Sequence, residues 1–478
     1  MRLKNFVGGR FTDAKSGKSL PNFEPAAGRE HSRVPDSDAR DVDAAVRAAA
    51  AAFPAWAATP ATERSRLLRE IARAIEERLP RLARAESIDT GKPVSVAAAV
   101  DIPRAASNFA FFADAATQFS TECHATDDLA VNYTLRRPLG VVGCISPWNL
   151  PLYLLSWKIA PALAMGNTVV AKPSEVTPMT AYLLSKLCAD ILPPGVLNIV
   201  HGTGPKAGAA LVSHPQVKAV SFTGSTRVGA EIARVCAPAL RKVSLELGGK
   251  NPTIVFADCD FDKTVAETAR AAFSNQGQIC LCGSRVLVQR PIYEEFKRAL
   301  VERARALRLG DPLKAGIEQG AVVSRQHLAK IEGCVELARR EGGAVLCGGK
   351  RARVPGRCAK GWFYEPTLIE GLGPACRANQ EEIFGPVATL LPFDDDDEAL
   401  ALANGTRYGL AASVWTRDLS RAHRFGARLE AGLVWINCWM LRDLRTPFGG
   451  VKDSGLGREG GHEALRFFSE ARNVCVKL

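Results

Sequence analysis

The chain lacks the features that mark membrane, secreted or nucleic-acid-binding proteins. No apolar run in its 478 residues is long and charge-free enough to span a bilayer. The opening stretch Met1-Arg2-Leu3-Lys4-Asn5-Phe6-Val7-Gly8 has no apolar signal core, so no export is expected from it. Thirteen cysteines is an odd number without framework spacing, which argues for reduced thiols and a cytoplasmic location. Zinc-type ligand sets are missing, so no metal is expected. Internal repeats and long low-complexity linkers are also missing. The net charge of +12 is spread along the chain, and arginine alternates with glutamate between Glu63 and Glu77. No basic block is interleaved with aromatics, so nucleic acid is not an expected partner. The basic surface could attract a small anionic substrate.

What is present describes a globular protein of more than one domain. A chain this long exceeds one hydrophobic core, and 47% hydrophobic residues with 41 glycines is ordinary composition. Leu68, Ile71, Ile75 and Leu79 recur at helical spacing within a helical stretch over 41–87. Asp89-Thr90-Gly91-Lys92-Pro93 reads as a turn. From Gly140 onward, β-branched runs alternate with helix-length segments. The runs are 141–145, 168–171, 196–200 and 217–222, which implies α/β architecture with a doubly wound parallel sheet. A second α/β block runs from Gly248 to Asn437. The acidic run Asp394 to Glu398 reads as a helix cap rather than a metal site. Segments 117–137 and 463–478 fit neither block and suggest an extension that packs on a partner subunit.

Cys280 is the most informative single residue. It ends the polar loop Asn275-Gln276-Gly277-Gln278-Ile279-Cys280, between a predicted helix and the strand run Val286-Leu287-Val288. A thiol on such a loop can be exposed and deprotonated, and the thiolate is the nucleophile. Most cysteines are simply small core residues, so the neighbouring motifs must carry the argument. Asn149, in Ser146-Pro147-Trp148-Asn149-Leu150-Pro151, follows a strand and could donate to a developing oxyanion. Taken alone, an asparagine there more often caps a helix. Glu246, in Leu245-Glu246-Leu247-Gly248-Gly249-Lys250, could be a desolvated general base, although an isolated glutamate there is more often a surface residue. Phe222-Thr223-Gly224-Ser225-Thr226 joins a strand to a helix whose N-terminus could face a phosphate. Ala171-Lys172-Pro173-Ser174-Glu175 ends a strand where a glutamate could bind a ribose.

These segments, together with Glu381-Glu382-Ile383-Phe384-Gly385-Pro386 and Pro447-Phe448-Gly449-Gly450-Val451-Lys452, resemble the aldehyde dehydrogenase superfamily in order and spacing. The resemblance runs from Gly8 to about Ser469. It implies a Rossmann-type NAD-binding domain (1–116 and 138–247), an α/β catalytic domain (248–446) and a small oligomerisation extension (117–137 and 463–478). It implies Cys280 as nucleophile, Asn149 as oxyanion donor and Glu246 as the base that releases the acid. Trp148, Lys172, Ser174, Glu175, Gly224, Ser225, Glu382 and Phe384 are implied to bind NAD. Glu175 favours NAD over NADP, because a carboxylate repels a 2′-phosphate. A homodimer or homotetramer is implied. For the substrate, Leu150, Leu154 and Trp157 fall where the family lines its tunnel. Arg104 and Arg442 offer donors suited to a carboxylate, and Arg445 could equally be a surface ion pair. With these arginines the chain is most similar to the branch acting on 2-aminomuconate or 2-hydroxymuconate semialdehyde. Oxidation of betaine aldehyde, retinal or an aliphatic aldehyde is the alternative.

Overall fold

Two parallel sheets, built from successive stretches of the chain, meet at one crevice. The computed structural model describes residues 1–478. The first sheet has eight strands, in the spatial order Arg10–Thr12, Asn5–Val7, Leu197–Ile199, Thr168–Lys172, Val141–Ile145, Val217–Thr223, Lys242–Glu246, Gly455–Leu456. The five strands between the edges run parallel. Val141–Ile145 and Thr168–Lys172 are buried at every position. Continuous apolar runs are what a sheet covered by helices on both faces requires. The chain enters at Val141–Ile145, steps outward twice on one side, then returns to the other side with Val217–Thr223. Strand order therefore reverses between Val141–Ile145 and Val217–Thr223. Loops leaving the carboxyl ends of those two strands diverge and leave a crevice.

The second sheet has seven strands, ordered Ala344–Cys347, Thr367–Glu370, Val387–Phe393, Gly283–Gln289, Asn251–Val255, Ala411–Trp415, Leu433–Ile436. Only the first pair in that order is antiparallel. Leu247-Gly248-Gly249-Lys250 alone separates the last residue of one first-sheet strand from the first residue of Asn251–Val255. The carboxyl edge of the first sheet is thereby held against the amino edge of the second.

The third element is a three-stranded antiparallel sheet. Ala130–Pro138 lies between Cys123–Thr126 and Ser469–Lys477. Leu129, Tyr133, Leu135, Val476 and Leu478 are exposed on or beside it.

Three expectations change in detail. The helical stretch 41–87 is three helices, Ala39–Ala58, Ala61–Glu77 and Leu79–Thr90. Pro60 has no N–H to continue the first, and the extended backbone at Thr59 ends it. Asp89 and Thr90 are helical rather than part of a turn, and Gly91 caps the helix in the left-handed region at φ 81°. Residues 463–468 do not join the extension. They belong to the helix Gly461–Phe467 and its C-cap, and Ala464, Leu465 and Phe468 are buried in the large core that includes Val142, Cys144 and Val169 of the first sheet. Burying Leu465 and Phe468 is worth about 1.5–3 kcal/mol each, which holds the segment there. The acidic run acts as a cap: Asp395 Oδ1 accepts from the Asp397 and Glu398 amides at 3.1 and 2.9 Å.

Candidate active site

The crevice holds a cavity of about 240 Å³ whose wall includes Trp148, Asn149, Leu154, Gly224, Ser225, Cys280, Glu382 and Phe384. Eight sequence-predicted residues, drawn from distant parts of the chain, thus share one space. Val141–Ile145 delivers Trp148 and Asn149 from its carboxyl end. Val217–Thr223 delivers Gly224 and Ser225. Cys280 comes from the amino side of the second sheet, three residues before Gly283–Gln289.

The loop before Cys280 is not a surface loop. Asn275, Gln276, Gly277 and Gln278 are all buried, and Cys280 is only half-exposed. Asn275 and Gln276 adopt φ of 52° and 56°, and Gly277 follows at 67°. Successive left-handed residues are costly for side-chain-bearing positions, so surrounding contacts must impose them. A Cβ on Gly277 would fall 2.0 Å from the Gly385 carbonyl oxygen, which leaves glycine as the residue that fits. Gln278 anchors the turn by accepting the Val323 amide at 3.0 Å and donating to the Asn275 carbonyl at 3.1 Å. The Asn251 amide then donates to the carbonyls of Cys280 and Cys282 at 2.7 and 2.9 Å.

Burial pushes the Cys280 thiol upward from its ordinary range, and the carboxylates of Glu382 and Glu246 add to it; Arg442 opposes weakly. No base or cation pairs with the sulfur in this state. Alkylation of Cys280 by iodoacetamide in the free enzyme should therefore be slow at neutral pH. It should rise about tenfold per pH unit into the alkaline range, as the thiolate fraction does. A rate already on a plateau below neutral pH would contradict this.

Asn149 is buried, and its side-chain amide donates to the Gln278 carbonyl at 2.9 Å. A primary amide has two N–H donors, so one can anchor the group while the other serves the cavity. Glu246 ends the strand Lys242–Glu246, immediately before Leu247 and Gly248 of the cavity wall. It is buried, and neither carboxylate oxygen has a hydrogen-bond partner. Burial raises its pKa well above the usual carboxylate range, and the nearby Glu459 charge adds to this. Glu459 is itself held by Lys158 at 2.6 Å and by the Ser221 hydroxyl at 3.0 Å. A Cβ on Gly449 would fall 2.6 Å from Glu246 Oε1, so that glycine makes room for the carboxylate.

The remaining polar residues form a cradle suited to a dinucleotide. Ser225 caps the helix Thr226–Cys236, and the N-terminal amides of that helix make an anion site at the cavity. Thr223 Oγ1 is buried there without a partner. Glu382 accepts the Gly249 amide at 3.0 Å, and a Cβ on Gly248 would strike its other oxygen at 2.6 Å. Trp148 stacks edge-on against Phe384 at 5.2 Å. Lys172, Ser174 and Glu175 lie on the adjacent strand end and the loop after it, with Lys172 Nζ 3.0 Å from Glu175. Ser174 Oγ accepts the Val176 amide at 3.2 Å.

Two further wall residues, His327 and Lys330, were not singled out from the sequence. Ser324 caps the helix Arg325–Arg340 by accepting the His327 amide at 3.0 Å. The His327 ring donates to the Phe384 carbonyl at 2.6 Å and meets Trp148 at 5.1 Å. Burial lowers its pKa to about 4, so it is neutral at physiological pH. Nothing in the sequence of that helix says which part of the chain faces its first turn.

The expected substrate residues separate. Leu154 lines the cavity. Leu150 is instead buried in the core at the N-cap of the helix Pro151–Ala164. Trp157 is also buried and serves as a platform: the guanidinium carbons of Arg104 and Arg442 lie 5.9 and 5.6 Å from its ring. Arg442 also lies 4.0 Å from the Phe448 ring and donates to the Tyr153 hydroxyl at 3.3 Å. Arg445 points elsewhere, paired with Asp443 at 2.6 Å on the surface.

The arrangement resembles known proteins from end to end. A model described as the aldehyde dehydrogenase family matches residues 11–474. A 2-aminomuconic semialdehyde dehydrogenase from Danio rerio is 50% identical over 99% of this chain and 98% of its own. A 2-hydroxymuconic semialdehyde dehydrogenase from Pseudomonas sp. strain CF600 is 48% identical, covering 100% of this chain and 99% of its own. An NAD⁺ complex of an aldehyde dehydrogenase from Bacillus cereus superposes with a TM-score of 0.97 at 39% identity, covering 100% of this chain and 97% of that one.

Proposed function

The chain belongs to the aldehyde dehydrogenase family, and from that premise we propose that it oxidises a carboxylate-bearing aldehyde, 2-aminomuconate or 2-hydroxymuconate 6-semialdehyde, to the acid. The carrying observation is the Arg104–Arg442 pair. Both guanidiniums lie over Trp157, and two Arg104 nitrogens, Nε and Nη2, are buried without a hydrogen-bond acceptor. Burial and the Arg442 charge both push the Arg104 pKa down. Two cations over one ring with no carboxylate bonded to either are poised for an anion, and a guanidinium fork matches a substrate carboxylate. The names of the relatives support the same substrate class.

In the mechanism, Cys280 attacks the aldehyde carbon and forms a thiohemiacetal. The free N–H of the Asn149 amide stabilises the oxyanion. A bound NAD would supply the hydride acceptor, and loss of hydride from the thiohemiacetal carbon would leave a thioester on Cys280. Trp148, Gly224, Ser225, Glu382, Phe384, His327 and Lys330 would hold the cofactor across the cavity. Lys172, Ser174 and Glu175 would hold its adenosine end, with the Glu175 carboxylate disfavouring NADP. Glu246 takes a proton from water, which attacks the thioester and releases the carboxylate.

Two coarser parts belong to the same reading. The exposed apolar residues of the extension support assembly as a homodimer or homotetramer. The thirteen unbridged cysteines support a reducing, cytoplasmic location, and no helix is long and apolar enough to cross a membrane.

The test is NADH formation across an aldehyde panel that includes muconic semialdehydes generated in situ. Charge-assisted hydrogen bonds are worth about 1.5–3 kcal/mol each, so Arg104→Ala and Arg442→Ala should each lower kcat/KM for these substrates about 10- to 100-fold. Uncharged aliphatic aldehydes should be affected far less. Equal losses on both classes, or none on the muconic semialdehydes, would sink the dicarboxylate reading. In that event betaine, retinal or aliphatic aldehydes become the substrates to pursue.

A further inference from the structure

We propose that Lys92 is a positioning residue for the oxyanion donor, holding the Asn149 backbone from beneath and tying it to the helix that carries Arg104. The inference rests on Asn149 being that donor. Lys92 is completely buried, and its ammonium donates to the Asn149 carbonyl at 2.9 Å. The same ammonium meets Asp101 Oδ2 at 2.5 Å and Glu86 Oε1 at 4.0 Å. Asn149 lies in an irregular loop after Val141–Ile145, so its carbonyl belongs to no strand or helix ladder. Two donors hold that carbonyl: Lys92, and the Asn275 side-chain amide at 3.1 Å. One comes from the first domain and carries charge, and the other comes from the Cys280 loop. With the peptide group pinned on one side and the amide anchored to Gln278 on the other, Asn149 is left little freedom.

The surroundings show that Lys92 is not an ordinary core ion pair. Two carboxylates face one lysine in a dry site, where each unpaired charge is costly. Three of their four oxygens have no hydrogen-bond partner: Asp101 Oδ1, Glu86 Oε1 and Glu86 Oε2. Burial raises Glu86 to about 8, so the cluster can relieve its excess charge by keeping a proton there. Asp101 closes a π-helical turn, Ala97–Asp101, which leads directly into the helix Ile102–Thr117. Such turns interrupt an otherwise continuous helix and recur at functional sites. Here the turn brings Asp101 to Lys92, and Arg104 follows within the first turn of the next helix. Lys92 thus links the group that would hold the aldehyde oxygen to the element that would hold the distal carboxylate.

The experiment uses the whole enzyme and the double variant Lys92→Met/Asp101→Asn, which removes the lysine together with its nearest carboxylate and leaves Glu86 to keep its proton. The assay aldehyde is a muconic semialdehyde or, if that is not turned over, an uncharged aliphatic aldehyde. Loss of positioning should lower kcat about 10- to 100-fold. NAD affinity and the rate of Cys280 alkylation by iodoacetamide, which builds no oxyanion, should stay within about twofold. Asn149→Ala alone should lower kcat about 10²- to 10³-fold, and adding the Lys92 and Asp101 changes to it should cost little more. An unchanged kcat in the double variant, or parallel losses of kcat, alkylation and NAD affinity, overturns the proposal. If Asn149→Ala itself keeps full kcat, the oxyanion assignment has failed instead. Should the double variant not fold, Lys92→Gln carries the same expectation at about tenfold, and unchanged kcat there overturns it equally.

Discussion

Replacing Cys280 by serine should abolish aldehyde oxidation, lowering kcat by on the order of 10⁶-fold, the scale seen when a covalent nucleophile is removed. The change is nearly isosteric. The strained turn at Asn275 and Gln276 depends on buried contacts elsewhere, including the Gln278 and Asn251 hydrogen bonds, so it should survive. A serine hydroxyl in this dry setting has no base beside it: Glu246 and Glu382 are the nearby titratable groups, and burial keeps protons on both more readily than usual. NAD should still bind, with affinity within about twofold, because none of the proposed cofactor residues changes. Isothermal titration with NAD and a stopped-flow NADH assay would read both halves. Retained turnover would remove Cys280 from the mechanism, whereas lost NAD binding would mean the variant had damaged the cavity itself.

The second large effect concerns Glu246. Glu246→Gln should leave the first hydride transfer intact and slow thioester hydrolysis by about 10²- to 10⁴-fold, the usual contribution of a general base. The expected trace is a burst of NADH equal to one equivalent per active site, then a slow steady state. Acid-quenched protein should carry the acyl group on Cys280, visible as an added mass. The pH dependence follows from the raised carboxyl. Only the ionised form accepts a proton from water, so deacylation in the native enzyme should increase with pH until Glu246 is fully ionised. That ionisation occurs above the usual carboxylate range, because burial and the Glu459 charge both oppose it. The variant should lose this rise. Absence of a burst, with normal steady-state turnover, would assign the water to another base.

Several features of the fold are legible in the sequence alone. The strand runs at 141–145, 168–171 and 217–222 announced themselves as uninterrupted β-branched segments, because a sheet buried on both faces needs apolar residues at every position. The helix breaks near Pro60 and Arg78 were less visible, since helical periodicity continues across them while the backbone does not. The Cys280 loop was misjudged in one respect: polar composition suggested exposure, but its amides find buried partners within the protein.

The sequence by itself determined the α/β class and the two blocks, which depend on residue type and short-range spacing, and it marked Cys280, Asn149 and Glu246 as reactive candidates through the ordered motifs that resemble the aldehyde dehydrogenase superfamily. Tertiary structure alone decided that Arg104, Arg442 and Trp157 form one cluster while Arg445 turns to Asp443 and Leu150 retreats into the core. It also brought His327 to Trp148 and Lys92 to the Asn149 carbonyl. Apart from the local Arg445–Asp443 pair, those contacts join residues 53 to 285 positions apart. Their existence depends on the carboxyl edge of one sheet facing the amino edge of another, which no local pattern of hydrophobicity or propensity encodes.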